Sequence, residues 1–250
     1  MTLRDAATIC LIRAAHHGPE VLMVQRPDTA TFMSSAWVFP GGAVDETDQA
    51  QEGLWPLQAA ALRELVEEAG IWLSTDGEQV TGKRPTGAAV FDEAPVPLDG
   101  ERLRFFAHWI TPVPLPIRFD TRFFATEVSR RVDALVDGKE LVDAAWLDPA
   151  IALERADGGD WLIAFPTRQV LQVLAGHDSV GALLESLPDP AGVEPVQPRI
   201  AVADDAVRIL LPTDPGFDEA GESGDDPELL ARAMAVADAG GEVPAELRKA

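Results

Sequence analysis

Three carboxylates, Glu64, Glu67 and Glu68, crowd the run Arg63 to Gly70 where an ordinary helix would avoid them. Residues at i, i+3 and i+4 of a helix project from one side, so all three share a face. The other face is apolar: Leu57, Ala61 and Leu65 recur beside Leu62, Val66 and Ala69, the pattern of a helix laid on a core. Pro56 suits its first turn and Gly70 its exit. Glu67 and Glu68 then fall in the last turn, where the helix dipole favours cations by about 0.3–1 kcal/mol per charge. Like charges at these spacings cost about 0.2–0.5 kcal/mol more per pair. A divalent cation would reverse both penalties, and a hard ion such as magnesium prefers carboxylate oxygens. The helix by itself is equally well explained as a solvated acidic face with Arg63 paired to Glu67.

What precedes the helix favours the metal. Trp37, Val38, Phe39, Pro40, Gly41 and Gly42 read as a short apolar strand running into a glycine turn, which lets backbone approach a ligand closely. Phe39 to Gly42, Asp48 and then Arg63 to Ile71 together resemble the Nudix box, whose usual form is G-x5-E-x7-R-E-U-x-E-E-x-G-U with U aliphatic. Counted from Gly42, Asp48 stands where Glu is usual, fourteen residues instead of seven precede Arg63, and the helical half is complete. The extra residues are expected in the loop, sparing the helix. The resemblance implies an α/β fold, the Nudix α/β/α sandwich with a mixed sheet between helices. It also implies a metal-dependent hydrolase that cleaves the diphosphate bond of a nucleoside diphosphate linked to another moiety. Mg2+ or Mn2+ would be held by Glu64, Glu67 and Glu68, with the Gly41 carbonyl as a further ligand. Arg63 is expected to orient Glu64 or its neighbours through a shared partner, since adjacent helix residues do not face each other.

Strings elsewhere resemble one group of that family, the coenzyme A diphosphatases with an enlarged box, of the mammalian peroxisomal type. They are Trp109 to Pro112, Arg118 to Phe124, Trp161 to Thr167, and Phe32 and Met33 with the residues up to Gly42. Coenzyme A or an acyl derivative is therefore the favoured substrate. ADP-ribose or a dinucleotide shares the chemistry and is the alternative within enzymes. A non-catalytic Nudix module for ligand sensing is the alternative outside them, and loss of the box glutamates is its usual mark. Arg118 and Arg122 are candidates to pair with substrate phosphate, because a guanidinium fork matches phosphate oxygens; strand-end ion pairs with Asp120 explain them as well. Arg26 is either a phosphate contact or ordinary surface. Glu140, six residues before Trp146, is by resemblance a fourth carboxylate that binds metal or assists the attacking water; beside Lys139 it also reads as a solvated loop residue. Glu64 and Glu140 are both candidates for the general base. His108 reads as a packed strand residue, and His16 and His17 as turn residues.

The elements that must position these groups follow from pattern. Ala7 to Arg13 and Val21 to Gln25 form a hairpin about His16 to Pro19, and Arg102 to Thr111 and Thr121 to Val128 form a second strand pair. Thr75 to Arg84 is polar, with a helical segment or loop following to Gly100. Leu141 to Leu147 is a strand leading into a helix capped by Asp148. Helices are expected at 166–175 and 179–187, closing a Nudix domain of residues 1–187. Prolines 188, 190, 195 and 198 open an extension, 188–250, with a small hairpin about Asp204 and Asp205, an acidic flexible stretch at 214–228 and a short helix at 229–239. This extension could cover the pocket, dock a second subunit as a homodimer, or hang free. With 250 residues, 46% of them hydrophobic, the chain can bury a sizeable core. The formal charge of −22 argues against nucleic acid as a partner, but a small phosphorylated substrate remains compatible with a metal and a few arginines. No apolar run approaches a membrane span, and the N-terminus lacks a signal peptide's layout. One cysteine, Cys10, in a strand, points to a core role and a reducing, cytoplasmic setting.

Overall fold

The computed structural model describes residues 2–30, 33–80, 84–95, 97–128, 132–136, 138–203, 206–220 and 231. The chain opens with the long strand β1 (Leu3–Ala15), turns at His16 and His17, and returns as β2 (Gly18–Gln25). Two short strands follow, β3 (Trp37–Val38) on β2 and β4 (Gly41–Ala43) on the first half of β1. The expected glycine turn is thus itself a strand: glycine lacks strand propensity, and only pairing with Ala6, Ala7 and Thr8 of β1 holds it extended. Next come α1 (Glu46–Gln49) and α2 (Pro56–Ala69), then a two-stranded hairpin of β5 (Ile71–Ser74) and β6 (Gly77–Val80), and α3 (Ala88–Asp92). The polar stretch after the helix therefore begins as a hairpin arm.

β7 (Arg104–Ile110) and β8 (Arg118–Glu127) are antiparallel to each other, while β8 runs parallel to β1 over ten register pairs, Leu3–Arg118 to Ile12–Glu127. β9 (Asp143–Leu147) pairs with the far side of β2. The mixed sheet runs β3-β2-β1-β8-β7, with β4 and β9 attached to β1 and β2. One face is covered by α2, packing Leu57, Leu62 and Leu65 on Ile9, Leu11 and Phe124. The other is covered by α4 (Pro149–Asp157), α5 (Phe165–Leu174) and α6 (Val180–Ser186), packed on Cys10, Met23 and Phe123. Helices on both faces of a mixed sheet give the expected α/β/α sandwich.

α2 has the expected limits. Pro56 occupies the first turn, where its missing N–H costs nothing, and Gly70 caps the end at φ 66°. The enlarged loop leaves the helix intact and leads instead to Trp55, whose half-exposed ring meets Phe105 and Phe124 edge-on at 6.2 and 5.9 Å. Asp148 caps α4 by accepting from the Ala150 N–H. Beyond α6 the chain lies along the edge of β7: Ile110 donates to Val196 and Val196 to His108, each at 2.9 Å. β10 (Arg199–Ala203) and β11 (Ala206–Leu210) form the expected small hairpin. Its tip at 204–205, most of the acidic stretch and nearly all of the expected helix at 229–239 lie outside the described residues. No helix among the described residues is long and apolar enough to cross a membrane.

Leu65 is fully buried between α2 and the sheet. Leu65→Ala should lower the unfolding free energy by about 2–5 kcal/mol, read as a shift of the denaturant midpoint at unchanged slope.

Candidate active site

The site is assembled around Arg63, whose side chain is only 5% exposed. Its Nε and Nη2 donate to Asp48 Oδ1 and Oδ2, each at 2.9 Å, in the two-pronged geometry that guanidinium and carboxylate share. Nη2 also donates to the Ala43 carbonyl, and Nη1 to Glu64 at 2.9 Å, with Glu67 at 3.3 Å. Burial works against the guanidinium charge, but the Asp48 hydrogen bonds and the charges of Glu64, Asp48 and Glu67 outweigh it and raise its pKa. Asp48, fully buried, thus holds Arg63 in place of the usual glutamate, and α1 exists to present it: Asp45 and Asp48 cap that short helix reciprocally. From the sequence Arg63 is expected to act through a partner shared with the glutamates, but Asp48 is bound by Arg63 and only repels Glu64. Arg63 instead touches Glu64 directly, because its long side chain curls back beside its neighbour.

The three helix glutamates meet β4 and the loop after β6. Glu68 accepts from the Gly41 N–H at 3.0 Å, and Glu67 from the Gly87 N–H at 2.7 Å. Glu64 lies against Gly42 so closely that a Cβ there would stand 2.1 Å from its Oε1. A Cβ on Gly41 would meet the Ala7 carbonyl at 2.4 Å. Both glycines are therefore required by close approach, one to a side chain and one to backbone.

Burial pushes the Glu64 carboxyl up to about 7; Arg63 opposes this, and the charge of Glu67 adds to it. Burial also drives Glu68 well above the carboxylate range, with Glu64 and Glu140 adding repulsion and the Gly41 N–H and Arg26 opposing it. Arg26 and exposed Glu140 are thus electrostatic neighbours of Glu68.

Among the described residues, no three acidic, histidine or cysteine side chains stand together as a metal-ligand set. The reason is visible: each helix glutamate is turned to a nearer donor, Arg63, Gly87 or Gly41. The residues nevertheless fit a hard divalent cation. They are oxygen donors on adjacent turns, and two of them are held away from ionisation by burial and mutual repulsion, which a cation relieves.

β4 separates these glutamates from an open cleft of about 410 Å³ on the other face of the sheet, lined by Gly41, Gly42, Arg26, Phe119, Phe123 and Arg4 among others. Arg118 and Arg122 do not line it. Strand alternation sends Phe119, Thr121 and Phe123 into the cleft and Arg118, Asp120 and Arg122 to the face that α2 covers. There Arg122 pairs with Asp120 and Asp5 at 2.7 and 2.8 Å, and Arg118 donates to the Thr111 carbonyl at 3.0 Å. The ion-pair alternative holds for Arg122. His108, on the same face, bonds Asp120. The sequence reading gives Arg4, Phe119 and Gly87 no role in the site, whereas it already places Gly42 in the glycine turn. The alternation of Phe119, Thr121 and Phe123 carried a signal for the first two, had the strand's phase been known.

The NUDIX domain family matches residues 2–164, and the chain belongs to that family. A Caenorhabditis elegans protein, provisionally named nudix hydrolase 7, is 31% identical over 180 residues, which is 68% of this chain and 59% of that protein. The chain therefore spans less than two thirds of that relative's length. A NUDIX hydrolase from Alicyclobacillus acidocaldarius has a similar solved structure, with a TM-score of 0.62 and 28% identity over 74% of this chain and 97% of that one. The NUDIX domain of Shewanella oneidensis NrtR, solved with ADP-ribose, is a looser match, with a TM-score of 0.44 and 17% identity over 69% of this chain and 86% of that one. That match is too loose to bear on this chain's substrate.

Two substitutions test the geometry. Gly42→Ala should leave the fold standing, because the group that must move is the end of a flexible side chain, but it should displace Glu64 and weaken Mn2+ binding measured by calorimetry. Asp48→Asn removes the charge that compensates buried Arg63 and should cost about 3 kcal/mol in denaturant unfolding.

Proposed function

We propose that the protein is a Mg2+- or Mn2+-dependent hydrolase of the diphosphate bond in a nucleoside diphosphate linked to another moiety. The observation that carries this is the gathering of Glu64, Glu67 and Glu68 against Gly41, Gly42 and Gly87, beside a cleft holding Arg26. Glu64, Glu67 and Glu68 would hold the cation, with the Gly41 carbonyl and Glu140 as further donors. When bound, it would polarise phosphoryl oxygens and acidify a water. The chain's own groups do the rest. Arg26 takes a non-bridging phosphoryl oxygen, Arg63 keeps Glu64 and Glu67 in register, and Glu64 or Glu140 accepts the proton of the attacking water. The intact glutamates of the helical half of the box speak for turnover over a sensing module.

Coenzyme A or an acyl derivative is the favoured substrate within this class. Its support is the resemblance of the strings at Trp109, Arg118 and Trp161, most of whose residues pack in the core or away from the cleft. ADP-ribose and dinucleotides share the chemistry and belong in the same assay.

With Mg2+, a panel of diphosphates should yield phosphate-ended products, and coenzyme A should yield 4'-phosphopantetheine and adenosine 3',5'-bisphosphate. Glu67→Gln should lower kcat about 100-fold or more with an unchanged melting profile. Failure to turn over any member of the panel would overturn the activity.

A further inference from the structure

The cleft is lined by two guanidinium groups whose side chains make no hydrogen bond or ion pair among the described residues. Arg26 has a buried Nε without a hydrogen-bond partner, and the Arg4 side chain makes no hydrogen bond or ion pair among the described residues. In a chain with 42 acidic and 20 basic residues, two unpaired cations facing one cleft need a reason. The other arginines around the sheet, Arg13, Arg102, Arg104 and Arg122, are occupied by carboxylates or carbonyls.

The two cations lie toward opposite ends: Arg26 acts through its charge on Glu68, which is bound to the Gly41 N–H, and register places Arg4 at the other end. Gly41 is opposite Thr8 and Thr8 opposite Phe123, whereas Arg4 is opposite Phe119, four residues further along both strands. Four residues of strand span about 13 Å of backbone between the Gly41 end of the cleft and the Arg4 end, room for a nucleoside with a phosphate on either side. Between them on β1 stands Ala6, small enough to leave the floor open. At the far end the Arg4 guanidinium lies over the Phe119 ring, 6.0 Å from its centroid, and that ring is only half-buried. A flat aromatic face beside an unpaired guanidinium matches a nucleobase bearing a nearby anion.

Resting on the diphosphatase reading above, we infer that Arg4 and Phe119 select a nucleoside carrying a phosphomonoester besides the scissile diphosphate. The base packs on Phe119 and the phosphomonoester pairs with Arg4, while Arg26 holds the phosphate nearest the glutamates. Arg4 and Phe119 are then specificity residues, separate from the machinery of bond cleavage. Coenzyme A, with its ribose phosphate, meets this requirement; ADP-ribose does not.

The test is calorimetric titration of the full chain, in Mg2+, with adenosine 3',5'-bisphosphate and adenosine 5'-monophosphate. The bisphosphate should bind about fivefold or more tightly, the size of one charge-assisted contact at a partly solvated site. Arg4→Gln, an exposed change that the fold tolerates, should remove that difference, and Phe119→Ala should weaken both ligands. Equal affinities in the unmodified protein, or a difference that survives Arg4→Gln, would overturn the inference. Hydrolysis is read separately: turnover without phosphate discrimination leaves the activity and removes this site, and discrimination without turnover does the reverse.

Discussion

The buried ion pair between Arg63 and Asp48 is the interaction on which the remaining geometry depends. A guanidinium out of water is costly unless its charge and its N–H groups are matched, and Asp48 matches it on two prongs. The same group also binds the Ala43 carbonyl and two helix glutamates. One side chain thereby ties α1, α2 and β4 together. Since Ala43 directly follows Gly41 and Gly42, the tie also fixes the glycines against which Glu64 and Glu68 rest.

This arrangement holds like charges together that would otherwise separate. Glu64 and Glu68 are pushed up by burial and by neighbouring carboxylates, and Arg63, Arg26 and the Gly41 N–H offset the repulsion. The apolar face of α2, packed on Ile9, Leu11 and Phe124, supplies the stability that keeps the glutamate face in position. Core and site are two faces of one helix. The enlarged loop fits this division, because its extra length ends at Trp55 over Phe105 and Phe124 and does not intrude on the glutamates.

Much of this could be read before any coordinates. The limits of α2, the first hairpin, the Asp148 cap and the two last helices follow from local signals that tertiary packing does not override. Gly41 to Ala43 read as a turn because glycines carry no strand signal; pairing with β1, some thirty-five residues away in sequence, makes them a strand. The β5–β6 hairpin was hidden by the polar composition of its second arm. For Arg118 and Arg122 the two readings stay level for another reason: β8 has phenylalanines on both faces, Phe119 and Phe123 on one and Phe124 on the other, so composition could not fix which face held the cleft.

The sequence by itself determined that three glutamates share one helical face opposite an apolar one, because helix geometry is set by neighbours three and four residues apart. It also determined the glycines that let backbone come close. Tertiary structure decided which groups those features meet: Asp48 for Arg63, Gly87 for Glu67, and Arg4 with Phe119 at the far end of the cleft. Each of these pairings joins separate elements. Their partners depend on strand register and on the parallel alignment of β1 with β8, quantities that local spacing does not encode.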